Sequence, residues 1–243
     1  MCGRQEDASM NIRPERGGFD GRSPGREPIF DLPTALVVMV GVLIAVQVGR
    51  GFLSPADDVG VMANFAFVPD RFLGEAAEYV YPGGRGAWAW TFLTYALLHD
   101  GWVHLAFNAA MLAALGRMVI ARTGLVRLLA LLLAATVAGA ALHLAVRWGD
   151  TTPMIGASGA VAGLFGAVPR LLFAPPHAPL RSVGATLADP RARAFVFALV
   201  AMNVVLVVLG TAPFGLGGGE VAWAVHLGGF LVGFLGFAAF DRH

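Results

Sequence analysis

Charged residues and cysteine are both scarce in this sequence of 243 residues. Only 14% of the residues are charged, lysine is absent, and the 17 basic residues are all arginine. Cys2 is the single cysteine, so no disulfide can form within the chain. The hydrophobic share is 57%, and it is gathered into long runs that a soluble core does not need. The composition therefore indicates a polytopic membrane protein and excludes an ordinary soluble domain.

Six apolar runs come close to the length of about 20 residues that a membrane-spanning helix needs. They are Leu32 to Gly49, Val103 to Ile120, Leu128 to Val146, Met154 to Ala174, Phe195 to Pro213 and Val221 to Phe240. The charged residues fall between the runs, and the first run is not followed by the small-residue cleavage site of a removable signal. We therefore predict an all-α fold in which residues 32–243 form a bundle of six transmembrane helices.

The arginines predict the orientation of this bundle. With six spans, 13 arginines lie on the side of the N-terminal tail, and Arg50, Arg71, Arg85 and Arg147 lie on the other. The positive-inside rule then makes both termini cytoplasmic, and we expect a bacterial inner membrane. The tail, residues 1–31, holds five arginines against six acidic residues, which predicts a disordered segment and not a nucleic-acid-binding one.

Two outer connections differ in character. The one at about residues 53–101 is too polar to span and is predicted to be an outer loop with some structure of its own. The other, residues 211–220, is rich in glycine and has the flexibility of a lid. No internal repeat is visible that would indicate a transporter built from related halves.

Polar side chains inside the predicted spans are few, and burying them in lipid is costly, which makes them candidates for function. They are His104, Asn108, His143, Ser158, Asn203 and His226. The second, fourth and sixth spans run in the same direction, with His104, Ser158 and His226 near their outer ends. At 1.5 Å per residue these three side chains fall in one layer, within about 10 Å of the outer boundary.

This layer holds the groups that a serine nucleophile needs. An imidazole can take the proton of Ser158, and hydrogen-bond donors can stabilise the oxyanion that forms. His104 and Asn108 are four residues apart, so they share a helix face and can donate to one site. Because no acidic residue lies inside a span, the sequence predicts a Ser/His dyad that needs neither metal nor cofactor.

Glycines are predicted to bring the two candidate helices together. Gly156 and Gly159 flank Ser158, and Gly229 and Gly233 follow His226. Small residues at these positions let two helices approach closely. Packing alone would also explain a lone G-x-S-G, so this motif has a structural interpretation beside the catalytic one.

Other polar residues have structural explanations. His143 is predicted to form a hydrogen bond between helices, with the role of a rival base as the alternative. His99 is expected to lie outside the membrane core and to order the long loop. Asn203 is predicted to bond a neighbouring helix.

Three motifs together resemble the rhomboid family of intramembrane serine proteases. LLHDGWVHLAFNAAML, residues 97–112, is similar to the family's H-x-x-x-x-H-x-x-x-N segment. GASGA matches its nucleophile motif G-x-S-G, and AVHLGGFLVG resembles A-H-x-x-G-x-x-x-G with Val225 in place of Ala. The resemblance implies that Ser158 is the nucleophile and His226 the general base. It also implies that His104, Asn108 and the Ser158 backbone N–H stabilise the oxyanion.

Three positions depart from the family pattern. The family often has Trp-Arg before the second span, where this chain has Trp90 and Thr91, and often a Glu after that span, where Ile120 stands. Both usually help to hold the outer loop and the inner end of span two. Ala162 stands where some relatives carry a Tyr that stacks on the catalytic His, which predicts a different orientation of the His226 ring.

The resemblance implies a protease that cleaves single-pass transmembrane proteins in or near the outer part of the bilayer, with substrates and membrane lipid as its partners. The alternative is a non-proteolytic rhomboid-like protein that binds membrane helices for quality control. A small-molecule transporter is the third hypothesis. The presence of both Ser158 and His226 argues against the second hypothesis, and the lack of repeats and buried acids argues against the third.

Overall fold

The computed structural model describes residues 32–74, 81–172, 178–209 and 222–241. Within these ranges the chain is helical and has no β-strand, which confirms the all-α class. Several predicted features lie outside the described residues: the tail of residues 1–31, residues 75–80 of the outer loop, the glycine-rich segment 211–220, the ends of the fourth and fifth spans at Ala174 and Pro213, and the start of the sixth at Val221.

The described residues contain nine α-helices. They are α1 (Thr34–Gly51), α2 (Pro55–Phe65), α3 (Gly84–Thr94), α4 (Gly101–Thr123), α5 (Leu125–Val146), α6 (Ser158–Leu172), α7 (Val183–Ala188), α8 (Pro190–Leu209) and α9 (Trp223–Gly236). Short 3-10 turns cover Pro69–Phe72, Tyr95–Leu97 and Phe237–Ala239. Helices α2 and α3 therefore give the predicted outer loop a structure of its own.

Local sequence explains where several of these helices begin and end. The hydroxyl of Ser54 accepts the N–H of Asp57 at 3.2 Å, and Pro55 occupies the first turn, so α2 has a capped start. Gly124, with φ +79°, alone joins α4 to α5. A left-handed backbone at this position suits glycine, which has no Cβ to clash.

Three of the described helices, α1, α4 and α5, are long and apolar enough to cross a membrane. Two shorter apolar helical stretches, Ser158–Leu172 and Trp223–Ala239, accompany them. The count of six spans therefore remains a prediction.

Helix α6 lies at the centre of the bundle, where it packs against α4, α5 and α9. Most of its side chains are buried, with Leu164 fully so. Leu36 of α1, Leu112 of α4 and Leu131 of α5 belong to the same core cluster. The outer faces of the bundle are also apolar, and large side chains there are exposed, such as Phe107. This pattern is typical of helices that face lipid.

Candidate active site

Ser158 is the first residue of α6, not the fifth residue of a helix that begins at Met154. The chain before it is extended and tied to neighbouring backbone. Met154 and Phe67 exchange two backbone hydrogen bonds of 3.1 and 2.8 Å, and the N–H of Gly156 donates to the Tyr95 carbonyl at 3.0 Å. Gly156 has φ +119°, which a helix cannot contain. The helix therefore begins after this glycine.

This placement puts Ser158 in the first turn of a helix. Helical hydrogen bonding starts with the N–H of Val161, which donates to the Ala157 carbonyl at 3.0 Å. The first N–H groups of a helix have no acceptor within it, and the Ser158 N–H is one of them. The side chain of Ser158 is half-buried. The residue thus offers a reachable hydroxyl beside a backbone donor.

Gly156 lies between the ring of His104 and the hydroxyl of Ser158. A Cβ placed on Gly156 would be 2.8 Å from His104 Nε2 and 3.9 Å from Ser158 Oγ. Any side chain here would displace the ring, and the φ angle already favours glycine. Gly156 was predicted to help two helices approach, but it precedes α6 and instead makes room for the His104 ring.

The hydrogen bonds of His104 indicate which of its ring nitrogens carries the proton. The N–H of Asp100 donates to His104 Nδ1 at 3.4 Å, so Nδ1 accepts and Nε2 is the donor in the neutral ring. Asn108, one turn later and buried, donates through Nδ2 to the His104 carbonyl at 3.1 Å. An amide nitrogen has a second hydrogen, which remains available. The two predicted donors are therefore arranged on one face of α4.

His99 is buried against the candidate site, and its expected place outside the membrane core stays a prediction. Its Nε2 accepts the N–H of Ala157 at 3.4 Å, and its ring meets that of His104 edge-on at 5.1 Å. Arg50 donates to the His99 carbonyl at 2.8 Å. His99 thus supports both the residue before Ser158 and the ring of His104. The five-residue spacing of the two histidines was the available signal for this role.

His226 lies in the first turn of α9 and is half-buried. Its Nδ1 lies 2.7 Å from Oδ1 of Asn203 on α8. This contact confirms that Asn203 bonds a neighbouring helix, and it identifies the partner, which sequence reasoning did not.

Glycines bring α6 and α9 into backbone contact. A Cβ on Gly229 would overlap the carbonyl oxygen of Gly159, and one on Gly233 would overlap that of Gly163. A Cβ on Gly159 would be 2.7 Å from Cγ1 of Val225. Since Gly159 follows Ser158 and Val225 precedes His226, the contact places the two candidate residues at the same level of adjacent helices.

His143 belongs to a different environment. It is buried on α5, edge-on to Phe67 at 6.4 Å between ring centroids, and its Nδ1 has no hydrogen-bond partner among the described residues. Phe67 forms part of the apolar cluster beneath the outer loop together with Tyr95 and Met154. The contacts of His143 therefore associate it with the outer loop and not with Ser158.

The outer loop is anchored by Arg71, in a chain that has Thr91 where relatives often have Arg. Arg71 is buried, donates to the carbonyls of Pro82 (2.8 Å) and Ala63, and stacks on Tyr81 with Cζ 5.0 Å from the ring centroid. Burial lowers the pKa of Arg71. Sequence reasoning missed this residue, since nothing in the loop sequence separates it from the other arginines.

The inner end of α4 is held by an ion pair, although Ile120 replaces the Glu that relatives often have. Arg122 donates to both carboxylate oxygens of Asp241, at 2.8 and 2.7 Å, and to the Ala178 carbonyl at 2.9 Å. A bidentate pair of this kind fixes orientation as well as distance. The chain thus restrains this end of the helix with different residues.

The connection from α5 to the segment before Ser158 is organised by Asp150. The N–H of Thr152 donates to Oδ1 at 2.8 Å, and Arg147 donates to Oδ2 at 2.6 Å. The Thr152 N–H first, and Arg147 in addition, hold the pKa of Asp150 below its usual value. The Asp150 carbonyl accepts the N–H of Asp70 at 2.9 Å, which joins this turn to the outer loop.

Comparisons with known proteins give a family match and a similar protein. The Rhomboid domain family model matches residues 87–241. The chain is similar to the Rhomboid protease GluP of Bacillus subtilis (strain 168), with 29% identity over 155 residues. That match covers 64% of this chain and 26% of the relative, so the chain spans about a quarter of the relative's length.

Proposed function

Because this chain belongs to the rhomboid family, we propose that it is an intramembrane serine protease in which Ser158 and His226 form the catalytic dyad. The family and the apolar helices make it an integral membrane protein. Its proposed substrates are single-pass transmembrane proteins, cut in or near the outer part of the bilayer. The proposed protease domain is residues 32–243, with six spans and both termini in the cytoplasm.

One observation carries this proposal. Ser158 begins α6 beside the His104 ring, at the level where α9 presents His226. Acyl transfer needs a nucleophile, a base and oxyanion donors at one place. Packing alone does not require such groups from three separate helices to lie at one level. The G-x-S-G motif therefore has a chemical explanation in addition to its packing one.

The reaction follows from these groups. His226 Nε2 takes the proton of Ser158 Oγ as the oxygen attacks the scissile carbonyl carbon. His104 Nε2–H, the free Asn108 N–H and the Ser158 backbone N–H donate to the oxyanion. The imidazolium then protonates the leaving amine, which departs as the acyl-enzyme forms. Water, activated by the same base, hydrolyses the acyl-enzyme and regenerates Ser158.

The dyad is tested by substitution in the purified protein. Ser158→Ala and His226→Ala each remove one half of the proton transfer, so cleavage of a panel of single-pass substrates in liposomes should fall to background. Both variants should stay folded, with the melting temperature of Ser158→Ala close to that of the wild type and that of His226→Ala lowered only by the loss of its contact with Asn203.

His143→Ala is the matched control, a histidine on another helix. It should retain cleavage. Survival of activity in His226→Ala together with its loss in His143→Ala would overturn the dyad. Cleavage by none of the proteins, with all of them folded and binding the substrates, would favour the non-proteolytic alternative.

A further inference from the structure

The side chain of Asn203 is fixed by two contacts that point in opposite directions. Its Nδ2 donates to the Leu199 carbonyl one turn earlier on α8, at 3.1 Å. Its Oδ1 lies 2.7 Å from Nδ1 of His226 on α9. A carbonyl oxygen can only accept, so the nitrogen of the amide must face Leu199. The oxygen is thereby directed at the imidazole.

This orientation determines the tautomer of His226. Because Oδ1 of Asn203 has no proton to give, the short contact requires a hydrogen on Nδ1 of the ring. In the neutral imidazole the lone pair is then on Nε2. That nitrogen is the one that must accept the proton of a nucleophile, as the other is already occupied.

We propose that Asn203 is a positioning residue that holds His226 in the Nδ1–H tautomer and in one ring orientation. The proposal rests on the proposed function, in which His226 is the base. When Ser158 Oγ gives its proton to Nε2, the ring becomes an imidazolium and its Nδ1–H donates more strongly to the amide oxygen. Asn203 loses and gains no proton in this step.

The neighbouring residues show why this role falls to α8. Ala162 is buried beside Gly229 and is too small to contact the ring from α6. No Asp or Glu stands in the apolar stretches of α6 or α9, so a carboxylate partner is absent there. A neutral amide avoids the cost of burying a charge in the membrane while still supplying an acceptor.

The kinetic test compares two substitutions of Asn203. Asn203→Leu keeps the branched shape and the number of side-chain heavy atoms and has no acceptor, so kcat should fall about 10- to 100-fold, part of the 10²–10⁴ that a positioned base supplies. KM should stay unchanged, since a residue that acts through the tautomer of the base affects the chemical step. Asn203→Asp keeps an oxygen acceptor and should restore most of the lost kcat. Met202→Leu, an exposed neighbour on α8, is the control and should behave as wild type.

A second measurement does not depend on activity or on the folding of the Leu variant. In Ser158→Ala protein labelled with ¹⁵N-histidine, the NMR signals of His226 should show hydrogen on Nδ1. Finding hydrogen on Nε2 would overturn the role of Asn203, whatever the protein does to substrates. So would an unchanged kcat in folded Asn203→Leu. Equal cleavage by wild type and Ser158→Ala would instead refute the proposed function. The NMR result would still decide whether Asn203 sets the tautomer of His226.

Discussion

His104 and Asn108 can be distinguished from packing residues by the step that they affect. An oxyanion donor acts mainly in the transition state, so its loss lowers kcat more than it raises KM. We expect His104→Ala and Asn108→Ala to lower kcat by about 10² to 10³ where the donor is strong, and less where the others compensate.

The measurements for these variants are kcat, KM and melting temperature. His99→Ala is a useful comparison, because His99 supports Ala157 and the His104 ring without being a proposed donor. A large drop in melting temperature with near-normal kcat well below the transition would return His104 and Asn108 to a purely structural role.

Arg71 is predicted to stabilise the outer loop through two backbone carbonyls. Arg71→Ala removes two hydrogen bonds, one to the half-buried Ala63 and one to the exposed Pro82, and each such bond contributes about 0.5–1.5 kcal/mol. The variant should melt earlier, and its loop should be cut sooner by an added protease. Arg71→Lys keeps the charge but not the planar array of N–H donors of the guanidinium. Its melting temperature and protease sensitivity should lie between those of the wild type and Arg71→Ala. Equal protease sensitivity in all three would contradict the anchoring role.

At the level of helices, the contact between α6 and α9 depends on a backbone without side chains. Gly233→Ala would force a Cβ into the Gly163 carbonyl, and overpacking of this kind costs about 1–3 kcal/mol or more. The same helix offers a control at Gly236, where a Cβ would meet nothing within 4 Å. Gly236→Ala should leave the melting temperature in detergent unchanged or raise it slightly. Equal effects at both positions would show that close approach is not what Gly233 provides.

The turn after α5 predicts a stability difference that depends on pH. The pKa of Asp150 is lower in the folded protein than the unfolded value of about 3.9, so its contribution is present above that value and is lost as pH falls through the folded pKa. Asp150→Asn should therefore have a lower melting temperature than the wild type at pH 7. The difference between the two melting temperatures should become smaller toward pH 3. A gap that stays constant over this range would mean that the ionised carboxylate is not responsible.

Sequence patterns located the helices better than their ends. Apolar runs placed α1, α4 and α5 to within about three residues, because lipid demands uninterrupted apolar length. The start of α6 was misplaced because Met154 and Ala157 are as apolar as the helix itself. A hydropathy pattern also contains no information about the positive φ of Gly156, after which the helix begins.

Some residues of the candidate site and its surroundings were predicted from the sequence, and others were not. Ser158, His226, His104 and Asn108 were predicted because each stands in a short motif within its own segment, and their roles stay predictions. Arg71 was not predicted, because it binds backbone carbonyls only 8 and 11 positions away that no sequence pattern marks as acceptors. Asp241 and the pairing of Asn203 with His226 were not predicted either, because these contacts join residues 119 and 23 positions apart in the chain. Such contacts depend on how helices pack, which periodicity within a single helix does not specify.

At the scale of the whole molecule, the proposed orientation has a direct chemical test. In a Cys2→Ser background, a membrane-impermeant thiol reagent should label Ala56→Cys in intact cells, because α2 is predicted to lie outside. Gly184→Cys should be labelled only after permeabilisation, since α7 is predicted to lie inside. Both positions are exposed, and a side chain on Gly184 meets nothing within 4 Å. The reverse pattern would invert the topology and place the site near the cytoplasmic face.

The bond between Arg122 and Asp241 also bears on how the molecule is made. The two residues are 119 positions apart, so at about 5–20 residues per second a ribosome needs roughly 6 to 24 s to pass from one to the other. His226, like Asp241, is synthesised after Ser158. For the 68 residues from Ser158 to His226, roughly 3 to 14 s at the same rate, a nascent chain carries the proposed nucleophile without its base and without the ion pair that holds α4. Synthesis that stops early would therefore leave an inert fragment in the membrane and not an unregulated protease.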